Sequence, residues 1–354
     1  MSSVTLQTVV TLQTVFVGLD YHAASVQVCM LSSDGRVLMN RSCANDWRAI
    51  MAAVRQRCGQ EADVQAAIEA CCGAADLADQ LIARGWSVNL AHAGYVARMK
   101  QSPDKTDFSD ARMLADLQRV GYLPRVWLAP EEVRELRRLV HYRQSLAKER
   151  KNLKLQIGAS LREARQKAPP TVNPWTKAWL AWLDASAALS PNARHITTCR
   201  LRRLAALQAE LRQVDQRLER QTREDPLVQK LLTIPGIGLV TAVTIRAEIG
   251  RFDRFRTLII NTAKQLGRFC GLSPRNVSSG QKQADAGLIK AGNNELRRVL
   301  VEAAHRLIRC EQRWTALAAQ LSRRGKPTGV VIAAVANRWV RWLFHQMQPA
   351  CLAA

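Results

Sequence analysis

Acidic side chains are scarce in this chain: 29 Asp and Glu stand against 52 Lys and Arg, leaving a net charge of +23. The shortage is local. Residues 1–130 hold 12 acids and 12 bases, so the whole excess lies in 131–354. A neutral front joined to a strongly basic rear implies a catalytic or regulatory part coupled to a polyanion-binding apparatus. Long apolar runs are also missing. No stretch approaches the about 18 uninterrupted apolar residues of a membrane span, and the first residues lack the basic and apolar regions of an export signal. The expectation is a cytoplasmic protein with no membrane partner, nucleoid-associated when active. Nine cysteines include no Cys-x-x-Cys and no Cys/His spacing suited to zinc, which excludes a structural zinc site and suits buried thiols in a reducing compartment. No helix-turn-helix is evident, so protein side chains are not the expected readers of base sequence.

What is present begins with a β-rich run at 15–20, Val-Phe-Val-Gly-Leu-Asp, ending on Asp20 and followed by Tyr21 and His22. Alternation predicts a second strand over 25–31, Asp34-Gly35 a hairpin turn, and 36–41 a third strand. Three antiparallel strands with an Asp inside the first open a ribonuclease-H-like domain. Asp46 suits the cap of a helix to about residue 58, and 64–68 reads as a fourth strand delivering Glu69. A helix over about 75–84 and a strand over 87–90 complete the pattern before Lys105-Thr106-Asp107-Phe108-Ser109-Asp110-Ala111. Asp107 and Asp110, three residues apart, share one helix face. They also suit the positive end of a helix dipole. The two strand-end acids favour a different use, because clustered carboxylates raise one another's pKa unless cations neutralise them. Two divalent ions roughly 3.5–4 Å apart are the common solution at phosphodiester-cleaving centres. Mg²⁺ fits carboxylate and phosphate oxygens, with Mn²⁺ an alternative.

From 130 to about 164 the period becomes helical, and a second stripe of Leu201, Leu204, Leu207, Leu211, Val214 and Leu218 keeps 3/4 spacing. The two predict a long helical hairpin or coiled coil, with a Trp-rich insert (Trp175, Trp179, Trp182) between. Pro235-Gly236-Ile237-Gly238 ahead of an apolar helix reads as the turn of a helix-hairpin-helix, where Gly236 and Gly238 let a phosphate approach backbone amides. Further on, Ser278-Ser279-Gly280 stands among Arg275, Lys282 and Lys290, a hydroxyl pair ringed by charge suited to phosphate. A serine pair before glycine is also an ordinary turn. The expected fold class is α/β plus all-α, divided into 1–129, 130–224 and 225–354.

Taken in order, Gly18-Leu19-Asp20-Tyr21-His22, Glu69, Lys105-Thr106-Asp107 with Asp110-Ala111, Pro235-Gly236-Ile237-Gly238, and Gly271-Leu272-Ser273-Pro274 through Ser278-Ser279-Gly280 to Lys290-Ala291-Gly292-Asn293 resemble the DEDD-type insertion-sequence transposases. These are related to site-specific DNA invertases and include bridge-RNA-guided recombinases. The resemblance implies a RuvC-like N-terminal domain whose metal-binding tetrad is Asp20, Glu69, Asp107 and Asp110. It implies that Ser279 or Ser278, with Ser279 preferred because it precedes the glycine, attacks a DNA phosphate and becomes covalently attached. It further implies donor and target DNA as substrates, a structured bridge RNA as guide, and dimers assembling to tetramers with one subunit's acids serving another's serine. A junction-resolving nuclease that uses the four acids and water alone is the competing reading.

Overall fold

A computed structural model describes residues 13–59, 61–100, 106–185, 187–255, 262–277, 285–289 and 291–348. The chain divides into two compact units, Met1–Leu128 and Ala129–Ala354.

In the first unit, β1 (Thr14–Tyr21), β2 (Ser25–Leu31) and β3 (Val37–Ala44) form an antiparallel meander. Asp34-Gly35 turns the chain between the second and third strands, with the Gly35 amide donating to the Ser32 carbonyl. Next come α1 (Trp47–Cys58), β4 (Asp63–Glu69), α2 (Ala74–Ile82) and β5 (Ser87–Ala91). The Asp46 carboxylate caps α1 by accepting from the Arg48 amide at 3.2 Å. After β5 the chain makes α3 (Ala93–Met99), α4 (Asp107–Arg119) and the two-residue β6 (Arg125–Val126). The sheet runs β3-β2-β1-β4-β5-β6, with β4 parallel to both β1 and β5.

Each face of this sheet has its own cover, because successive side chains of a strand point to opposite sides. Val15, Val17 and Leu19 of β1 and Ala66 and Ile68 of β4 pack with Ile50, Val54, Leu77 and Leu81 of α1 and α2. The opposite face carries Cys29, Leu31 and Ala67 against Ala111, Leu114 and Ala115 of α4. Gly18 belongs to that second face. A Cβ at Gly18 would collide with the Ala111 carbonyl oxygen and lie 2.6 Å from the Ala115 amide nitrogen, so the missing side chain lets α4 lie directly on β1.

Among the described residues, the second unit is helical apart from one small hairpin. Two long helices, α5 (Glu131–Glu163) and, after the short α6 (Lys177–Ala185), α7 (Pro191–Thr222), run antiparallel. Arg143 of α5 donates to Asp215 of α7 at 2.6 Å, and Arg203 of α7 reaches Glu149 of α5 at 2.8 Å. Leu146, Leu153, Ile157 and Leu161 meet Leu204, Leu207, Leu211 and Leu218 along the seam. These helices share one continuous core with α8 (Pro226–Leu232), α9 (Leu239–Ile249), α10 (Thr262–Phe269), α11 (Asn294–Cys310), α12 (Gln312–Arg323) and α13 (Thr328–Gln346). The hairpin is β7 (Pro274–Asn276) with β8 (Asp285–Leu288). Among the described residues, no helix is long and apolar enough to cross a membrane.

Candidate active site

The acids of the first unit are placed by strand register. Leu19 pairs with Ile68 across the parallel β1–β4 ladder, so Asp20 and Glu69 follow at the carboxyl ends of neighbouring strands. Alternation puts both on the side of Gly18 and Ala67, the side covered by α4. That helix starts where they end. Thr106 caps it, its hydroxyl accepting from the Ser109 amide at 3.2 Å, and Asp107 and Asp110 fall in the first turn. Asp110 is largely covered, with 12% of its side chain exposed against 58% for Asp107.

His22 joins Asp20 to Asp107. Its Nε2 lies 3.3 Å from Asp20 Oδ2 and 3.4 Å from Asp107 Oδ2, and one ligand atom from each of the three residues falls within 4.8 Å of the others. The chain's order signals His22 only as a neighbour of Asp20; its contact with Asp107 depends on how α4 lies over β1. Asp110 is held instead by Lys100, whose Nζ sits 2.6 Å from Oδ1. Glu69 is half-buried at the end of β4 and stands outside the trio. The Asp20 carboxyl titrates above its ordinary range, first because burial strips it of water and then because Asp110 and Asp107 repel its charge; His22 opposes the rise. The Cys71 thiol is pushed up by burial and by the charges of Glu69 and Asp20.

The donor set fits a divalent cation. Carboxylate oxygens are hard ligands of the kind Mg²⁺ and Mn²⁺ prefer, and the acids already draw in the Lys100 ammonium and the His22 imidazole.

In the second unit Pro235 to Gly238 joins α8 to α9. Gly236 has a φ of +81°, and its carbonyl accepts from Arg306 Nε at 2.8 Å. Asp225 caps α8 by accepting from the Leu227 and Val228 amides and receives Arg246 Nε of α9 at 2.6 Å, which fixes the two helices together. Arg275 is exposed on β7. Ser278, Ser279, Lys282 and Lys290 lie outside the described residues. The described ends around them are braced: Arg297 donates from Nε to the Gly271 carbonyl and from Nη2 to the Ile289 carbonyl, both at 2.9 Å, and Asn337 donates to the Leu272 carbonyl at 3.1 Å.

Comparison with known proteins covers both units. Residues 17–165 match the transposase family of DEDD IS110 type, and residues 228–319 match the family described as "Transposase IS116/IS110/IS902 family". The transposase for insertion sequence element IS1328 of Yersinia enterocolitica is 28% identical over 280 residues, spanning 78% of this chain and 81% of that protein. The transposase for insertion sequence element IS1111A of Coxiella burnetii is 24% identical over 332 residues, spanning 92% and 88%. A transposase of Sinorhizobium fredii, y4qE, is 30% identical over 258 residues, spanning 66% and 62%. The chain thus matches, in order along its sequence, a DEDD transposase model of IS110 type and a model of the IS116/IS110/IS902 transposase family.

Proposed function

We propose that this chain is the DNA-cutting and rejoining enzyme of an insertion sequence, guided to donor and target DNA by a structured bridge RNA and working as dimers that pair into tetramers. The observation that carries the reading is the convergence of Asp20 and Asp107 on His22, with Asp110 one helical turn further along α4, in a chain matched by a DEDD transposase family. Asp20, Glu69, Asp107 and Asp110 would hold Mg²⁺, and two ions at such a centre neutralise charge on a phosphodiester undergoing displacement. His22 orients Asp20 and Asp107 toward one point. The side chain of Ser279, or of Ser278, supplies the nucleophile: a bond forms from serine Oγ to phosphorus as one P–O bond of the strand breaks, and the freed oxygen takes up a proton. Attack by a hydroxyl of the incoming strand reverses the step, and no bond energy is lost to water. The basic second unit tracks phosphates through the Gly236–Gly238 turn, Arg275, Lys282 and Lys290, while base pairing with RNA supplies sequence choice.

The test uses the full chain with its copurified RNA, Mg²⁺ and plasmids bearing the two DNA sites. Ser278→Ala and Ser279→Ala are made separately, and strand exchange and covalent protein–DNA adduct are read on denaturing gels. One variant loses both products. Survival of both products in each variant overturns the serine mechanism and leaves the water-dependent nuclease.

A further inference from the structure

Within the second unit a cavity of about 1780 Å³ opens between one face of α5, the turn before α9, and the Trp-rich segment ahead of α6. It contains none of the acids of the first unit. Among the α5 residues that line it, Gln144, Lys148, Lys151, Leu155, Gly158 and Arg162 recur every three or four residues. That spacing is one face of a helix, and from Gln144 to Arg162 it runs about 27 Å at 1.5 Å per residue. Lys148, Lys151 and Arg162 are exposed and pair with no carboxylate among the described residues. By contrast, Arg143 at the same wall is neutralised by Asp215 at 2.6 Å. Charge is therefore left uncompensated on the α5 side of the groove, while Glu295 and Glu302 on the α11 side are engaged by Arg298.

Three further features show what the charge is for. Gln144 is 9% exposed, and its side-chain Nε2 is a buried donor without a partner; buried amide donors are costly to leave unmade, so such a group suits a ligand acceptor. Gly238, on the same wall, is the N-cap of α9, whose first amides carry the positive end of the helix dipole. Trp175 lies in the groove with a φ of +69°, a backbone conformation that bulky residues rarely adopt. Its ring is backed by Trp179 at 4.6 Å, and Lys154 Nζ stands 4.7 Å from the ring centre. Leu155, 57% exposed, adds apolar surface beside it. An acidic peptide would use the cations and leave the indole idle. A nucleic-acid strand with unpaired bases uses both, since a positive groove with an aromatic platform is how single strands are held.

From this juxtaposition we propose that the α5 groove binds a single-stranded stretch of nucleic acid, phosphates along Lys148, Lys151 and Arg162 and one base stacked on Trp175. Phosphate and base face are the groups recognised, so deoxyribose and ribose strands bind alike. The inference rests on the nucleic-acid handling proposed above. It is tested without cleavage, so either reading can fail alone.

Full-length protein is titrated with fluorescent dT20, rU20 and a 20-base-pair duplex at several salt concentrations. Trp175→Leu weakens dT20 and rU20 by roughly tenfold and leaves the duplex within about twofold. Lys148→Gln with Lys151→Gln lowers the log–log salt slope on dT20 by about 1.4, the value for two phosphates on a single strand. Both positions are exposed, so this variant keeps the test valid if Trp175→Leu fails to fold. Arg57→Gln, on exposed surface of α1, changes neither. A 4-thiothymidine version of dT20 crosslinks to peptides covering 144–175. Equal dT20 affinity and slope in wild type and the lysine variant, crosslinks confined elsewhere, or competition by polyglutamate that matches dT20 at equal charge each overturns the groove. An Asp110→Asn protein that no longer cleaves yet binds dT20 as before separates this groove from the cutting reaction.

Discussion

Gly18 of β1 and Ala111 of α4 meet backbone to backbone, leaving no room between them for a single methyl group. The helix bearing Asp107 and Asp110 thus rests on the strand bearing Asp20. In Gly18→Ala the added methyl faces main-chain atoms, which cannot rotate away as a side chain can. Overpacking of ordinary cores costs about 1–3 kcal/mol, and this contact belongs at or above the top of that range. The expected variant unfolds at lower temperature by circular dichroism and loses DNA cleavage even where it still folds. Wild-type melting and cleavage would remove Gly18 from the account of the site.

His22 makes a second, separable prediction. His22→Asn keeps a polar group but loses the reach between Asp20 and Asp107. Removing a group that orients ligands weakens metal binding about 10–100-fold. Mn²⁺ titration followed by calorimetry should show that loss with the melting temperature unchanged.

The interior of the second unit predicts a pH dependence. Glu248 of α9 is buried, and its carboxylate accepts from His141 of α5 at 2.6 Å and from Asn293 at 2.7 Å, with Arg137 at 3.9 Å. Burial favours its neutral form, but these hydrogen bonds and charges outweigh that and hold its pKa below the ordinary value. His141 is raised, first by the hydrogen bond to Glu248. A lowered carboxylate stabilises above its unfolded pKa of about 4.3 and loses that contribution as pH falls; a raised imidazole stabilises fully below about 6.5 and loses it as pH climbs through the folded value. The second unit is therefore most stable between these limits. Melting curves from pH 4 to 9 check it, and His141→Gln should remove the decline on the alkaline side.

Asn293 serves two structures at once. Its Oδ1 accepts from the Glu295 and Leu296 amides at the start of α11 while its Nδ2 serves Glu248. Asn293→Ala loses a helix cap, about 1 kcal/mol, and also a bond to a buried carboxylate. Chemical denaturation should show a loss of about 2 kcal/mol or more. Asn293→Asp, which keeps the cap and sets a second carboxylate beside the first, should be no better than Ala.

The strands were legible in the sequence because alternation survives on both faces of the first sheet. The expected runs at 15–20, 25–31 and 64–68 lie within Thr14–Tyr21, Ser25–Leu31 and Asp63–Glu69. The helix expected over 75–84 forms at Ala74–Ile82. By contrast, α3 escaped notice: its seven residues include one buried side chain, Val96, too few for a helical period to show. β7 and β8 read Pro-Arg-Asn and Asp-Ala-Gly-Leu, without the β-branched alternation that marks a strand. Of the site, Asp20 and the Asp107–Asp110 pair could be read from position along the chain. The His22 bridge and the Lys100–Asp110 contact join separate elements, and the first also depends on the close approach of α4 at Gly18, so spacing alone could not supply them.

Lys100 gives the first unit a resident counterion. With its ammonium 2.6 Å from Asp110, the acidic face is partly neutralised by the chain itself, while the His22 imidazole sits between Asp20 and Asp107. A divalent ion held by these acids would have to take the place of the Lys100 ammonium at Asp110, so its binding would be a competition with the chain's own cation rather than the filling of a bare acidic pocket.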